Sequence, residues 1–115
     1  FINADIFNYK SEKKYDVIVS NPPYLRESEK LLIKKNVLDY EPLKALFVND
    51  DNPLIFYKAI LDFSLNSLND SGKLYFEINE NLKVKLDELL KNYLIKDIEF
   101  ISDSYKKNRF LKLKF

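Results

Sequence analysis

Asn21, Pro22, Pro23 and Tyr24 bring two kinds of recognition chemistry into one short stretch. Asn21 offers a side-chain carbonyl acceptor and an amide donor. Pro22 and Pro23 have fixed φ and no N–H, so a sheet ladder cannot run through them and their carbonyls lack ladder partners. Tyr24 adds a flat aromatic face. Carbonyl acceptors held rigidly beside an aromatic plane can grip a planar –NH2 group. The bland alternative is a plain strand-ending turn, because Asn-Pro commonly starts turns. The full tetrapeptide directly behind a hydrophobic strand is the more specific signal, since that context is what gives a short motif its meaning.

That strand is Tyr15 to Ser20. Tyr15, Val17, Ile18 and Val19 leave little polar surface, so the segment is expected to be a central strand buried on both faces, as in a parallel sheet. A stiff turn at the carboxyl end of such a strand is where open α/β sheets bind ligands. Upstream, Phe1 to Phe7 reads as a short strand and Asn8 to Lys14 as a polar connection. Downstream, Leu25 to Lys35 reads as a loop with a short helix at Glu29 to Lys35. Asn36 to Asn52 is irregular, either a variable surface loop or a functional lid.

Asn52-Pro53 pairs a cap residue with proline at the first helical position, so a helix is expected to open there. Phe56, Ile60 and Phe63, flanked by Tyr57, Leu61, Leu65 and Leu68, make its apolar stripe. Asn69 to Gly72 ends it, and Gly72, the one glycine of the chain, is expected to take a backbone shape other residues avoid. Lys73 to Asn79 is the next strand. Glu80 to Tyr93 is a second amphipathic helix, with Leu82, Leu86, Leu89, Leu90 and Tyr93 on one face. Ile95 to Ser102 and Asn108 to Phe115 read as closing strands. In the last, Leu111, Leu113 and Phe115 alternate with Lys112 and Lys114, which gives it one wet face.

Composition removes several classes of function. Histidine and cysteine are absent, which excludes Ser-His and Cys-His hydrolases within the chain, a disulfide framework and a thiolate metal site. No metal ligand set is expected. The formal net charge of +1 lacks the basic excess of proteins that neutralise many phosphates. No apolar run approaches the ~20 residues needed to span a membrane. The chain holds no methionine and opens in what reads as a strand, so a piece of a longer protein is expected.

Asn-Pro-Pro-Tyr behind a buried strand resembles the signature of S-adenosylmethionine-dependent amino-group methyltransferases. These modify adenine N6, cytosine N4 or the side-chain amide of glutamine. Tyr40-Glu41-Pro42, Ala45-Leu46, Phe56-Tyr57, Glu77-Ile78, Asp103 and Asn108-Arg109-Phe110 follow in order. The series resembles the carboxyl-terminal half of the release-factor glutamine methyltransferase family (the HemK or PrmC type), and the resemblance runs over nearly the whole chain.

The resemblance implies an α/β fold. It would be the carboxyl-terminal half of a class I, Rossmann-like methyltransferase sheet, mostly parallel with an antiparallel edge strand. Residues 1–115 would form a partial catalytic domain without its cofactor-binding amino-terminal half. The implied cofactor is S-adenosylmethionine, and the implied partner is the Gly-Gly-Gln loop of peptide-chain release factors in the cytoplasm. Neither direct nucleic-acid binding nor a membrane is expected. Asn21 and Pro22 would be catalytic, Asn21 to Tyr24 would bind substrate, and Asp5, Ile6 and Asn21 would contact cofactor. Taken alone, Asp5 reads better as a capping or turn carboxylate, and Glu41 reads either as a residue that contacts substrate or holds the loop, or equally as a helix-cap or surface residue. The family's glycines near Asn49 to Pro53 and before Asn108 are replaced here by NDDNP and Lys106-Lys107. The rival functions are an adenine-N6 DNA or RNA methyltransferase and a non-catalytic interaction module of the same fold.

Overall fold

A computed structural model describes residues 1–32 and 42–115. Tyr40 and Glu41, with the rest of residues 36–41 in the irregular stretch expected at 36–52, lie outside the described residues. The same holds for the end of the helix expected at 29–35, whose described part is a 3-10 helix over Glu27–Leu32.

Four strands make one sheet: β1 (Tyr15–Ser20), β4 (Leu68–Glu77), β5 (Asp97–Ser102) and β6 (Asn108–Lys114), in the order β1-β4-β6-β5. β1 runs parallel to β4, while β6 lies antiparallel to both β4 and β5. β1, β4 and β5 therefore share one direction and β6, second from the edge, opposes them, so the fold is α/β with the antiparallel pairing of the last two strands at one edge, as expected. A second, minimal sheet pairs β2 (Leu25–Arg26) with β3 (Phe47–Val48). Helix α1 spans Ile55–Ser67 and helix α2 spans Lys83–Leu90.

Alternation along the strands decides which face the helices cover. Leu74 and Phe76 of β4 stand opposite Leu113 and Leu111 of β6, and all four are buried together with Tyr57, Ile60 and Leu61 of α1 and Leu86 and Leu90 of α2. Each such side chain removed from water contributes about 1.5–3 kcal/mol. Beyond the end of α2, Tyr93 donates its hydroxyl to Asp62 Oδ1 of α1 at 2.8 Å, tying the two helices together.

Several expectations are corrected. Phe1 to Phe7 is not a strand. The Asp5 carbonyl accepts from the Asn8 and Tyr9 amides at 3.0 and 2.8 Å, so the chain's polar groups close a turn instead of a ladder. Among the described residues β1 is an edge strand, not a central one, and it is not buried on both faces: Val17 is 52% and Val19 75% exposed. α1 starts at Ile55, after the Asn52 carbonyl accepts from the Ile55 amide at 3.3 Å. Gly72 has no positive φ. Its role is spatial, because a Cβ there would sit 2.9 Å from the Asn69 carbonyl oxygen and from Leu68 Cδ2. β4 makes a tight excursion at this point, where the pairing with β1 jumps from Tyr15↔Leu68 to Val17↔Lys73.

The second amphipathic segment is shorter than the pattern suggested. A 3-10 turn, Glu80–Leu82, precedes α2 and is capped by the Asn79 side chain, which accepts from the Asn81 amide. Among the described residues the positive φ falls on Lys106, at 63°, within the Lys106-Lys107 pair where the resemblance led to an expected glycine. Asp103 holds that turn. Its side chain accepts from the Tyr105 and Lys107 amides at 2.8 and 3.1 Å, while its own amide donates to the Lys107 carbonyl.

Candidate active site

The carboxyl ends of β1 and β4 and the amino end of β6 meet at one rim of the sheet, because β1 and β4 are parallel and β6 is opposed. Asn21 to Tyr24 leave β1 at this rim. Asn21 is exposed, Pro22 is buried, and Pro23 and Tyr24 are half-buried. Pro22 thus anchors the turn in the protein while Asn21 faces solvent. Among the described residues, neither the Asn21 side chain nor the carbonyls of Pro22 and Pro23 takes part in a hydrogen bond.

Two cavities meet at the tetrapeptide. The smaller, about 90 Å³, is lined by Asn21, Pro22, Pro23, Tyr24, Ala45 and Leu46, with Leu25 beside them. Ala45 and Leu46 arrive there because β2, directly after Tyr24, pairs with β3, directly after Leu46. Ser28, whose amide donates to Asp50 Oδ2 at 3.1 Å, ties the same two segments a little further on. The larger cavity, about 470 Å³, lies on the other side of the prolines, with Asp5, Ile6, Pro22, Pro23, Phe56 and Ile60 in its wall. All six site residues expected from sequence therefore line one cavity or the other, and Pro22 and Pro23 line both.

Asp5 also has a local role. Its Oδ1 accepts from the Phe7 amide at 3.0 Å, the turn carboxylate that the sequence left open. Ile6 packs against the core. The larger cavity suits the adenosine part of S-adenosylmethionine in kind, since it is mostly apolar with one carboxylate at its margin.

Tyr24 is held more firmly than its aromatic face suggested. Its hydroxyl donates to Glu77 Oε1 at 2.8 Å. Burial, then the hydrogen bond and charge of Glu77, push its phenol up to about 12, against an opposing pull from Arg109. Tyr57 of α1 donates its hydroxyl to the Glu77 carbonyl at 3.1 Å, and its ring meets Phe76 edge-on with centroids 5.1 Å apart. Burial raises the Tyr57 phenol as well. The Ile78 amide donates to the Arg109 carbonyl at 2.8 Å, and Arg109 Nε lies 3.5 Å from Asp103 Oδ2. Amides of Lys107 and Tyr105, together with Arg109, hold the Asp103 carboxyl below its usual range.

Glu77, Asp103 and Arg109 entered the sequence reading as positions of resemblance, without a role. No local pattern could supply one, since Tyr24 and Glu77 are 53 residues apart. The signal lies in strand pairing: parallel β1 and β4 must end at the same rim.

The α/β sheet, with Asn21 to Tyr24 at the rim where β1 and β4 end, has the arrangement of the carboxyl-terminal half of a class I methyltransferase. No protein-family model matches the chain. A release factor glutamine methyltransferase of Flavobacterium psychrophilum is 43% identical over 116 residues, covering 100% of this chain and 41% of the relative. The release factor glutamine methyltransferase of Bacteroides thetaiotaomicron is 44% identical over 96% of the chain and 41% of its own length. That of Clostridium botulinum is 40% identical over 90% of the chain and 36% of its own length. The chain belongs to the release factor glutamine methyltransferase family, and it spans about two-fifths of the length of these curated relatives.

Proposed function

We propose that the chain forms the substrate-gripping part of an enzyme that methylates the side-chain amide nitrogen of a glutamine in peptide-chain release factors. The observation that carries this reading is the cavity bounded by Asn21, the two prolines and Tyr24, in a chain whose relatives bear that name. The substrate is the glutamine of a Gly-Gly-Gln loop, and the site of action is the cytoplasm.

Amide nitrogen is a poor nucleophile because its lone pair is delocalised into the carbonyl. Asn21 Oδ1 and the Pro22 carbonyl accept hydrogen bonds from the substrate NH2. They orient the nitrogen and favour the positive charge that develops on it. Tyr24 walls the amide plane. Asp5 and Ile6 line the cofactor side. When bound there, S-adenosylmethionine supplies an electrophilic methyl group. No histidine base is required if the proton leaves late to solvent.

In the full-length protein that carries this sequence, Asn21→Ala should lower turnover far more than cofactor affinity, by ~2.7–4 kcal/mol of barrier. Mass spectrometry of treated release factors reads the product. A variant with wild-type turnover removes the tetrapeptide from the mechanism, and methyl label only in DNA or RNA moves the assignment to a nucleobase methyltransferase.

A further inference from the structure

We propose that Glu77 is a positioning residue: its carboxylate fixes the Tyr24 ring in the orientation that walls the amide cavity. The inference rests on the proposed glutamine reading and assigns a role to a residue outside the tetrapeptide.

Two prolines fix the backbone ahead of Tyr24 but leave its side-chain torsions free to choose among rotamers. Among the described residues, the bond from its hydroxyl to Glu77 Oε1 is the polar anchor of that ring. The anchor itself is rigid at three points. Glu77 ends β4 in register with Phe110 of β6. Its carbonyl accepts from Tyr57, a fully buried side chain of α1. The next amide, that of Ile78, is tied to the Arg109 carbonyl. Core, sheet and helix therefore all converge on the backbone of the residue whose carboxylate holds the ring. A ring so held keeps the cavity wall in place while the substrate amide enters. A ring set free could rotate into the space of about 90 Å³.

The same bond could serve stability alone, so the test needs readouts that a stability role would not move. The full-length protein is compared as wild type, Glu77→Leu, Glu77→Gln, Tyr24→Phe and the Tyr24→Phe/Glu77→Leu pair. Glu77→Leu and Tyr24→Phe should each lower kcat with cofactor affinity unchanged, by up to about 100-fold, the scale of a misplaced reacting group. The pair should be no worse than either single change. Glu77→Gln keeps an acceptor and should restore most of kcat. Carbon-13 NMR of labelled tyrosines supplies a signature independent of activity: the Tyr24 phenol should titrate lower in Glu77→Leu than in wild type, because a hydrogen bond to a negative charge is lost.

If Glu77→Leu does not fold, Tyr24→Phe, which deletes one oxygen, carries the kinetic test. Wild-type kcat in Tyr24→Phe and Glu77→Leu, with Asn21→Ala inactive, overturns this inference alone. Wild-type turnover in Asn21→Ala overturns the proposed function beneath it.

Discussion

On one face of the sheet, Ile18 of β1 stands in register with Leu74 of β4 and Leu113 of β6, and α1 and α2 close over them. On the opposite face, Val17 and Val19 stand in register with Lys73 and Tyr75, and these with Lys114 and Lys112. Here the apolar side chains of β1 are exposed, while Leu74, Leu111 and Leu113 on the first face have no accessible surface. The strands are the same and the backbone pairing is the same. The difference shows that a strand's hydrophobic run records the cover it suits, whereas its burial depends on what packs against each face.

Substitutions on the two faces should separate sharply. Phe76→Ala opens the covered face at a residue that is 1% exposed and meets Tyr57 edge-on. It should cost about 3–5 kcal/mol in chemical denaturation, the range for a buried aromatic truncated to alanine. A cost below about 1 kcal/mol, within the reach of an ordinary surface change and its scatter, would mean that this face is not the core.

Much of this arrangement was legible in the sequence. The period-2 alternation of Leu111, Leu113 and Phe115 with Lys112 and Lys114 assigned the faces of β6, because each strand residue points opposite to its neighbours. The stripe of α1 identified a packed helix, with Tyr57, Ile60 and Leu61 buried as expected. The tetrapeptide announced its own position, since two prolines must stop a ladder. Other features were hidden for physical reasons. Val17, Ile18 and Val19 carry no alternation, so nothing in the run distinguishes a covered face from an open one. A single glycine does not say whether it is needed for its φ or for its missing Cβ. The Tyr24–Glu77 bond spans two strands whose pairing no local pattern encodes.

Gly72 tests the seam between β1 and β4, where both faces begin. Gly72→Ala puts a methyl group against the Asn69 carbonyl, which is backbone and cannot swing aside. Overpacking of this kind should cost about 1–3 kcal/mol. The accompanying amide exchange should rise in Val17 to Ser20 and in Lys73 to Phe76, the paired segments downstream of the excursion. An unchanged melting temperature with unchanged exchange would show that the excursion of β4 is loose rather than close-packed.

Val19→Ser should have the smallest effect, and it bears most directly on the open face. Val19 is 75% exposed on an edge strand, so the substitution returns little apolar area to water. The backbone pairing of Val19 with Tyr75 does not depend on the side chain. Two small terms oppose each other: serine loses some of valine's preference for a strand, about 1 kcal/mol being the full span of that scale, and it removes an apolar group from contact with solvent. The change measured in this chain should fall within about 0.5 kcal/mol of zero, as for other surface positions. Repeating the substitution in a longer chain that carries this sequence makes the comparison quantitative. A cost there that rises toward the ~1.5–3 kcal/mol of a buried valine would mean that further chain covers Val17 and Val19. An equal, near-zero cost in both would mean that the open face is open in the whole protein.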